Sequence, residues 1–254
     1  MNAEAGAPWF FVHLQKTGGT SLILQMLRHF APGEVYPWPA DVPDDPERPQ
    51  LSVAALQRAW TEHHDRIRII AGHFPFAAME LLGGGFTSLT LLRDPVTRTL
   101  SNIRSQLAAN PRMEGLDAET VYERTRPFTN NHMLRMFSVT AEEIVEAEAL
   151  GRWALFRWVD PTEERLDAAK ANLDRIDVVG FIDDLAAFVA ELETRFGWTL
   201  GDPLHANPSP AFAIPDTLVD RIREENAPDL ALYEYARSRR LHRPTGASDG
   251  GSRS

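Results

Sequence analysis

Apolar positions change their period along the chain, and each change marks an element. Trp9 to Leu14 is an apolar, β-favouring run that predicts a buried strand. From Thr20 the period becomes helical, through Leu22, Ile23, Met26, Leu27 and Phe30, until Pro32-Gly33. Gln15 to Gly19 is the short turn between them. Pro32 to Gln50 is rich in Pro and Asp and predicts an exposed loop, long enough to serve as a lid or to face a substrate. Leu51 to His64 reads as a helix. Ile67 to Ala71 reads as a second strand, running into Gly72-His73-Phe74-Pro75-Phe76, and Gly83-Gly84-Gly85 is a break. Thr87 to Leu92 is a third strand ending in Arg93-Asp94-Pro95. Pro95 then sits just inside a helix striped with Val96, Leu100, Ile103 and Leu107. Asp117 to Ile176 reads as mainly helical. Asp177 to Ile182 is a fourth strand, and Asp183-Asp184 is expected to cap a helix through Phe196. Two helices follow, near Pro215 to Asn226 and Pro228 to Leu241, and residues 246–254 read as a disordered tail.

Strands alternating with helices predict an α/β fold: three α/β/α layers around a mainly parallel sheet of four to five strands, one domain over residues 1–245. Ligands of such sheets bind beyond the carboxyl ends of the strands. Lys16, His73 and Arg93 each follow a different predicted strand, so all three belong to that edge.

Composition narrows what the edge can hold. The 254-residue chain carries a formal net charge of −10, which suits it poorly to general nucleic-acid binding. A small anion must then be held by a few local cations and backbone amides. The chain has no cysteine, which excludes disulfides and thiolate chemistry. No apolar run reaches membrane-spanning length, and the first residues lack a secretory pattern, so a cytoplasmic protein is expected. No metal is called for. Asp44-Asp45 and Asp183-Asp184 read as solvated loop and helix cap, and Glu142 to Glu148 as a solvated helix face. The aromatics Trp9, Trp153, Phe156, Trp158 and Trp198 read as core.

The first turn has the chemistry of an anion cradle. Gly18 and Gly19 let backbone close around a phosphate at a helix N-terminus, Lys16 adds a mobile cation, Thr20 and Ser21 add hydroxyls, and Thr17 belongs to the same binding loop. In G-x-x-x-x-G-K-[ST] the lysine follows the last glycine; here Lys16 precedes both, and G-x-G-x-x-G is absent. With that order, Lys16-Thr17-Gly18-Gly19-Thr20-Ser21 after a hydrophobic strand resembles the 5′-phosphosulfate loop of sulfotransferases. These enzymes use 3′-phosphoadenosine 5′-phosphosulfate (PAPS). The likeness is to the carbohydrate branch that includes the heparan/uronyl 2-O-sulfotransferases. There the loop commonly reads His-Ile-Pro-Lys-Thr-Gly-Gly-Thr-Ser, and this chain has Gln15 at the proline.

The resemblance implies a second motif on the donor's 3′-phosphate, a strand-end arginine with a serine eight positions on. Arg93 and Ser101 have that spacing, and an arginine fork suits a phosphate. Transfer to an alcohol also requires a base, and Gly72-His73 resembles the segment that carries the catalytic histidine in the uronyl enzymes. His73 in an apolar setting suits a neutral imidazole; His13 and His132 are its rivals. Lys16 is expected to stabilise the leaving phosphate. Asn131 and Arg135 resemble residues near the family's acceptor. Arg98 reads either as a helper to Arg93 or as a solvated helix arginine. His29, His63, His64, His205 and His242 read as exposed.

Weaker likeness continues in Val179-Gly180-Phe181-Ile182-Asp183, in Asn207-Pro208-Ser209 and in Asn226 to Tyr233. The resemblance implies PAPS as donor, 3′-phosphoadenosine 5′-phosphate (PAP) as product, and a carbohydrate or other small alcohol as acceptor. A P-loop kinase and a non-catalytic nucleotide-binding protein on the same fold are the alternatives.

Overall fold

A computed structural model describes residues 6–38, 49–153, 159–202 and 212–242. Five strands form one all-parallel sheet: β1 (Trp9–Val12), β2 (Val35–Tyr36), β3 (Ile69–Ile70), β4 (Thr87–Leu92) and β5 (Val178–Phe181), in the order β2-β3-β1-β4-β5. Central β1 pairs with β3 through Trp9↔Ile69 and with β4 from Trp9↔Thr87 to Val12↔Thr90.

The two-residue alternation of the strands sorts their side chains onto two faces. Phe10, Val12, Ile70, Leu92 and Phe181 pack into one core. Phe11, Ile69, Leu89, Leu91 and Val178 pack into another, on the opposite face. The second core is covered by α1 (Gly19–Met26) and α9 (Leu185–Phe196) through Leu22, Met26, Phe188 and Leu192. The first is covered by α2 (Val53–His63), α3 (Ala78–Leu81), α6 (His132–Ser138), α7 (Ala141–Ala149), α8 (Glu163–Asp174) and α11 (Ala227–His242). A third cluster joins α4 (Pro95–Ala109), α5 (Ala118–Thr129) and α10 (Asp216–Glu225) around Ile103, Val121 and Ile222. The expected three-layer architecture is present.

Local chemistry explains most boundaries. Asp94 accepts the Thr97 N–H at 2.8 Å and Pro95 takes the first helical position, so α4 begins where β4 ends. Ser52 caps α2, and Thr162 caps α8.

Several expectations require correction. Val35 and Tyr36 do not belong to an exposed loop; they are buried as edge strand β2, paired in parallel with β3. Two residues are too few for an alternation to register. Helix α1 stops at Met26, and the Arg28 and His29 amides return to Gln25 and Met26, so the chain tightens into turns well before Pro32. Asp184 occupies the N-cap of α9 without a side-chain cap bond, because Asp183 pairs with Arg237 and Asp184 faces Arg240 at 4.0 Å. The Glu142–Glu148 segment is not simply solvated. Glu148 accepts from Ser52 Oγ and the Val53 N–H, and Glu143 pairs with Arg165 at 2.5 Å. Asp44-Asp45, Phe156, Trp158, His205, Asn207-Pro208-Ser209 and the 246–254 tail lie outside the described residues.

Candidate functional site

Connections leaving β1 and β4 run to opposite sides of the sheet. The chain leaves β1 towards β2 and leaves β4 towards β5, so a crevice opens between their carboxyl ends. Lys16 and Arg93 lie on its two sides.

The loop after β1 is shaped by its own backbone. Lys16 has φ 64 and Gly18 has φ 83, both in the left-handed region. Glycine adopts that conformation without cost, whereas lysine is strained there. Gly18 is the N-cap of α1 and supplies no side-chain cap, so the first helical amides stay open to an anion. Gly19 packs against His13: a Cβ there would stand 1.8 Å from His13 Nε2. Buried Thr17 turns its hydroxyl inward to the Leu14 carbonyl at 2.9 Å, which leaves only its backbone for a ligand. Thr20 is exposed and Ser21 buried.

The cations converge without an ion-paired carboxylate, and Asp94 favours the Arg93 charge only at longer range. Lys16 Nζ donates to Ser105 Oγ at 2.6 Å, and the Arg93 guanidinium donates to the Lys16 carbonyl at 3.1 Å. Burial and the Arg93 charge hold the Lys16 amine below the usual lysine range. Burial and the neighbouring Arg104 do the same for Arg93. Asp94 is engaged in capping α4, and among the described residues none of these three cations has an ion pair. Ser101 lies one turn before Ser105 on the same face of α4. Ser105 and Arg104 escaped the sequence reading. Their signal was the i, i+4 repetition of serine after Ser101 on the helix that follows Arg93.

Histidines form the floor. His73 Nδ1 lies 2.8 Å from the His13 carbonyl oxygen. A carbonyl only accepts, so Nδ1 carries the proton and Nε2 carries the lone pair. His13 Nδ1 likewise faces the Ala71 carbonyl at 3.3 Å, and the two rings are 4.1 Å apart. Burial lowers the pKa of His73, with Lys16 acting in the same direction against the bond to His13. Burial and then His73 push His13 well below the usual imidazole range. His132 is also fully buried and depressed, by burial first and then by Arg98 and Arg135.

Arg98 is not a solvated helix arginine: it is 1% exposed and donates to the Thr129 carbonyl. Burial brings its pKa to about 10. Arg135, also 1% exposed, donates to the Asn130 carbonyl at 3.0 Å and the Pro127 carbonyl at 3.2 Å. Asp229, buried, faces both guanidiniums and accepts the Met133 and Leu134 amides. Asn131 and Arg135 therefore hold the scaffold behind the crevice. His29 and His64 are exposed, as expected, and His63 is half-buried.

A cavity of about 390 Å³ opens at the opposite edge of the sheet, lined by Phe76, Glu80, Ser88, Arg175 and Asp177 among others. Its charges are internally matched: Asp177 accepts from Ser88 twice, and Arg175 pairs with Glu80 at 3.3 Å. Lys16, Arg93 and Arg104 at the crevice have no such match among the described residues. Among the described residues no helix is long and apolar enough to cross a membrane.

No family model matches the chain, and no curated protein matches it. In structure it is similar, at low identity, to two sulfotransferases. With a sulfotransferase from Alicyclobacillus acidocaldarius the TM-score is 0.48 at 17% identity, covering 94% of this chain and 96% of that one. With mouse sulfotransferase SULT7A1, crystallised in complex with PAP, it is 0.41 at 13% identity, covering 89% of this chain and 66% of that one.

Proposed function

We propose that this chain is an O-sulfotransferase that moves a sulfuryl group from PAPS to a hydroxyl of a carbohydrate or other small alcohol. One observation carries the reading. An open helix N-terminus and three cations without carboxylate partners meet, in a chain of net charge −10, beside a histidine whose Nε2 bears a lone pair.

Each residue has a task. The amides after Gly18, with Lys16, Thr20 and Ser21, would hold the 5′-phosphosulfate, alongside the backbone of Thr17 and Gly19. Arg93 and Ser101 would hold the 3′-phosphate, which a mononucleotide lacks. His73 Nε2 takes the acceptor's hydroxyl proton as that oxygen forms its bond to sulfur. The bond from sulfur to the phosphate oxygen breaks, and Lys16 stabilises the charge that collects there. The histidine floor excludes water from one side of the reaction.

Calorimetry with PAP tests the donor half. Micromolar or tighter binding is expected, lost in Lys16→Ala and in Arg93→Ala. A wild-type protein that does not bind PAP would overturn the reading. A transfer assay with labelled PAPS against a mixed acceptor extract tests the other half and identifies the acceptor class.

A further inference from the structure

Gln15 stands where the resembling loops often carry proline, and a proline has no N–H to donate. In this chain the Gln15 N–H donates to His132 Nε2 at 3.2 Å, joining residues 117 positions apart. His132 is therefore an acceptor at Nε2, and its proton is on Nδ1, which is buried and meets no partner. The ring is aimed by a rigid mount. Asn131, left-handed at φ 46, has its N–H held by Asn226 Oδ1 at 3.0 Å. The Met133 and Leu134 amides are held by Asp229 at 2.9 and 2.7 Å. Three backbone amides around His132 are thus anchored to the α10–α11 junction.

We propose that His132 is a positioning residue: through the Gln15 N–H it sets the path by which the chain enters the phosphate loop, and so the aim of Lys16. Occupied at Nε2, it is not the base, and it touches no substrate. The bond exists only while the ring is neutral, because a second proton would set two donors against each other. The groups facing it are Arg98 from α4, Arg135 on α6, and His73 and His13 from the sheet edge, with Asp229 behind α6. The excess of cations among them disfavours that proton.

The proposal rests on the sulfotransferase reading only for its PAP-binding readout. In ligand-free protein, amide exchange followed by NMR should show Gln15 protected. His132→Leu should expose it while β4 amides stay protected, and His132→Gln, which keeps an acceptor near the Nε2 position, should restore it. PAP affinity should fall about tenfold in His132→Leu and recover to within about threefold in His132→Gln. Gln15→Pro removes the donor instead, and it carries the test if His132→Leu does not fold. It should weaken binding as His132→Leu does, and the double variant no further. Unchanged Gln15 protection in His132→Leu would overturn the proposal, as would losses that multiply in the double variant. Absence of PAP binding by the wild type would overturn the sulfotransferase reading and leave the exchange result to decide this one.

Discussion

His73 shows how one hydrogen bond can decide which ring nitrogen is free to accept a proton. Its Nδ1 proton is committed to the His13 carbonyl, so the remaining nitrogen is a lone pair near Lys16. Its pKa lies below the ordinary 6.5, so the neutral ring persists further into acid than that of a free histidine. The acid limb of kcat/KM should therefore lie below pH 6.5, and activity should be flat above it until another group titrates. A pH–rate profile of wild type checks this, and a limb above 6.5 would assign the base elsewhere. His73→Ala should lower kcat by about 10²–10⁴ while PAP binding survives. The sequence located His73 through its glycine and its place after a strand. It could not show which nitrogen was free, because the partner is a backbone carbonyl 60 residues away.

At the scale of elements, α4 was legible in one face and hidden in the other. Its apolar stripe and Pro95 gave its position. A second buried stripe, Pro95, Arg98, Thr99 and Asn102, also has helical spacing but is mostly polar. A hydrophobic pattern cannot register such a face, which is why a solvated setting stayed open for Arg98 beside a role as helper to Arg93. Helix α6 is the extreme case, with all seven residues buried, His132 and Arg135 among them. What makes this tolerable is Asp229, the carboxylate facing both guanidiniums. Asp229→Ala would leave two buried cations without their counter-charge and two helix-start amides without their acceptor. The expected loss is about 3–5 kcal/mol of folding stability, measured by urea unfolding. Asp94→Ala, which removes only an end cap of α4, should cost about 1 kcal/mol. Similar losses from the two would contradict the assignment of Asp229 as the buried counter-charge.

Across the whole molecule, the sheet order could not be read from the chain. Periodicity predicts strands, while the order β2-β3-β1-β4-β5 depends on pairings between distant segments, and β2 is too short to give a signal. That the three site residues share one edge did follow from the sequence, because every parallel strand delivers its carboxyl end to the same side. The fold also gathers buried His13 and His132 and half-buried His73 into one group with depressed pKa values. Unfolded, these rings bind protons below pH 6.5; folded, they bind them only at lower pH. Unfolding in that window takes up protons, so stability is complete above 6.5 and falls as the solution is acidified. Each ring that stays neutral across this window adds about 1.4 kcal/mol per pH unit to the slope. Asp229, whose pKa burial raises above 3.8, acts in the opposite sense at lower pH. Urea midpoints between pH 8 and about pH 5 measure the histidine contribution, and a flat profile would show that the three rings are not held neutral by the fold.

Lys16 sits at a position where selection for folding and selection for chemistry favour different residues. Its left-handed backbone, at φ 64, is one that glycine adopts freely. Lys16→Gly should therefore fold more stably than Lys16→Ala by about 1 kcal/mol, seen as a higher Tm, while neither variant binds PAP. A chain with no anion to bind at this loop would lose nothing by carrying glycine here, so the strained backbone marks Lys16 as the place where the proposed chemistry and the fold pull apart.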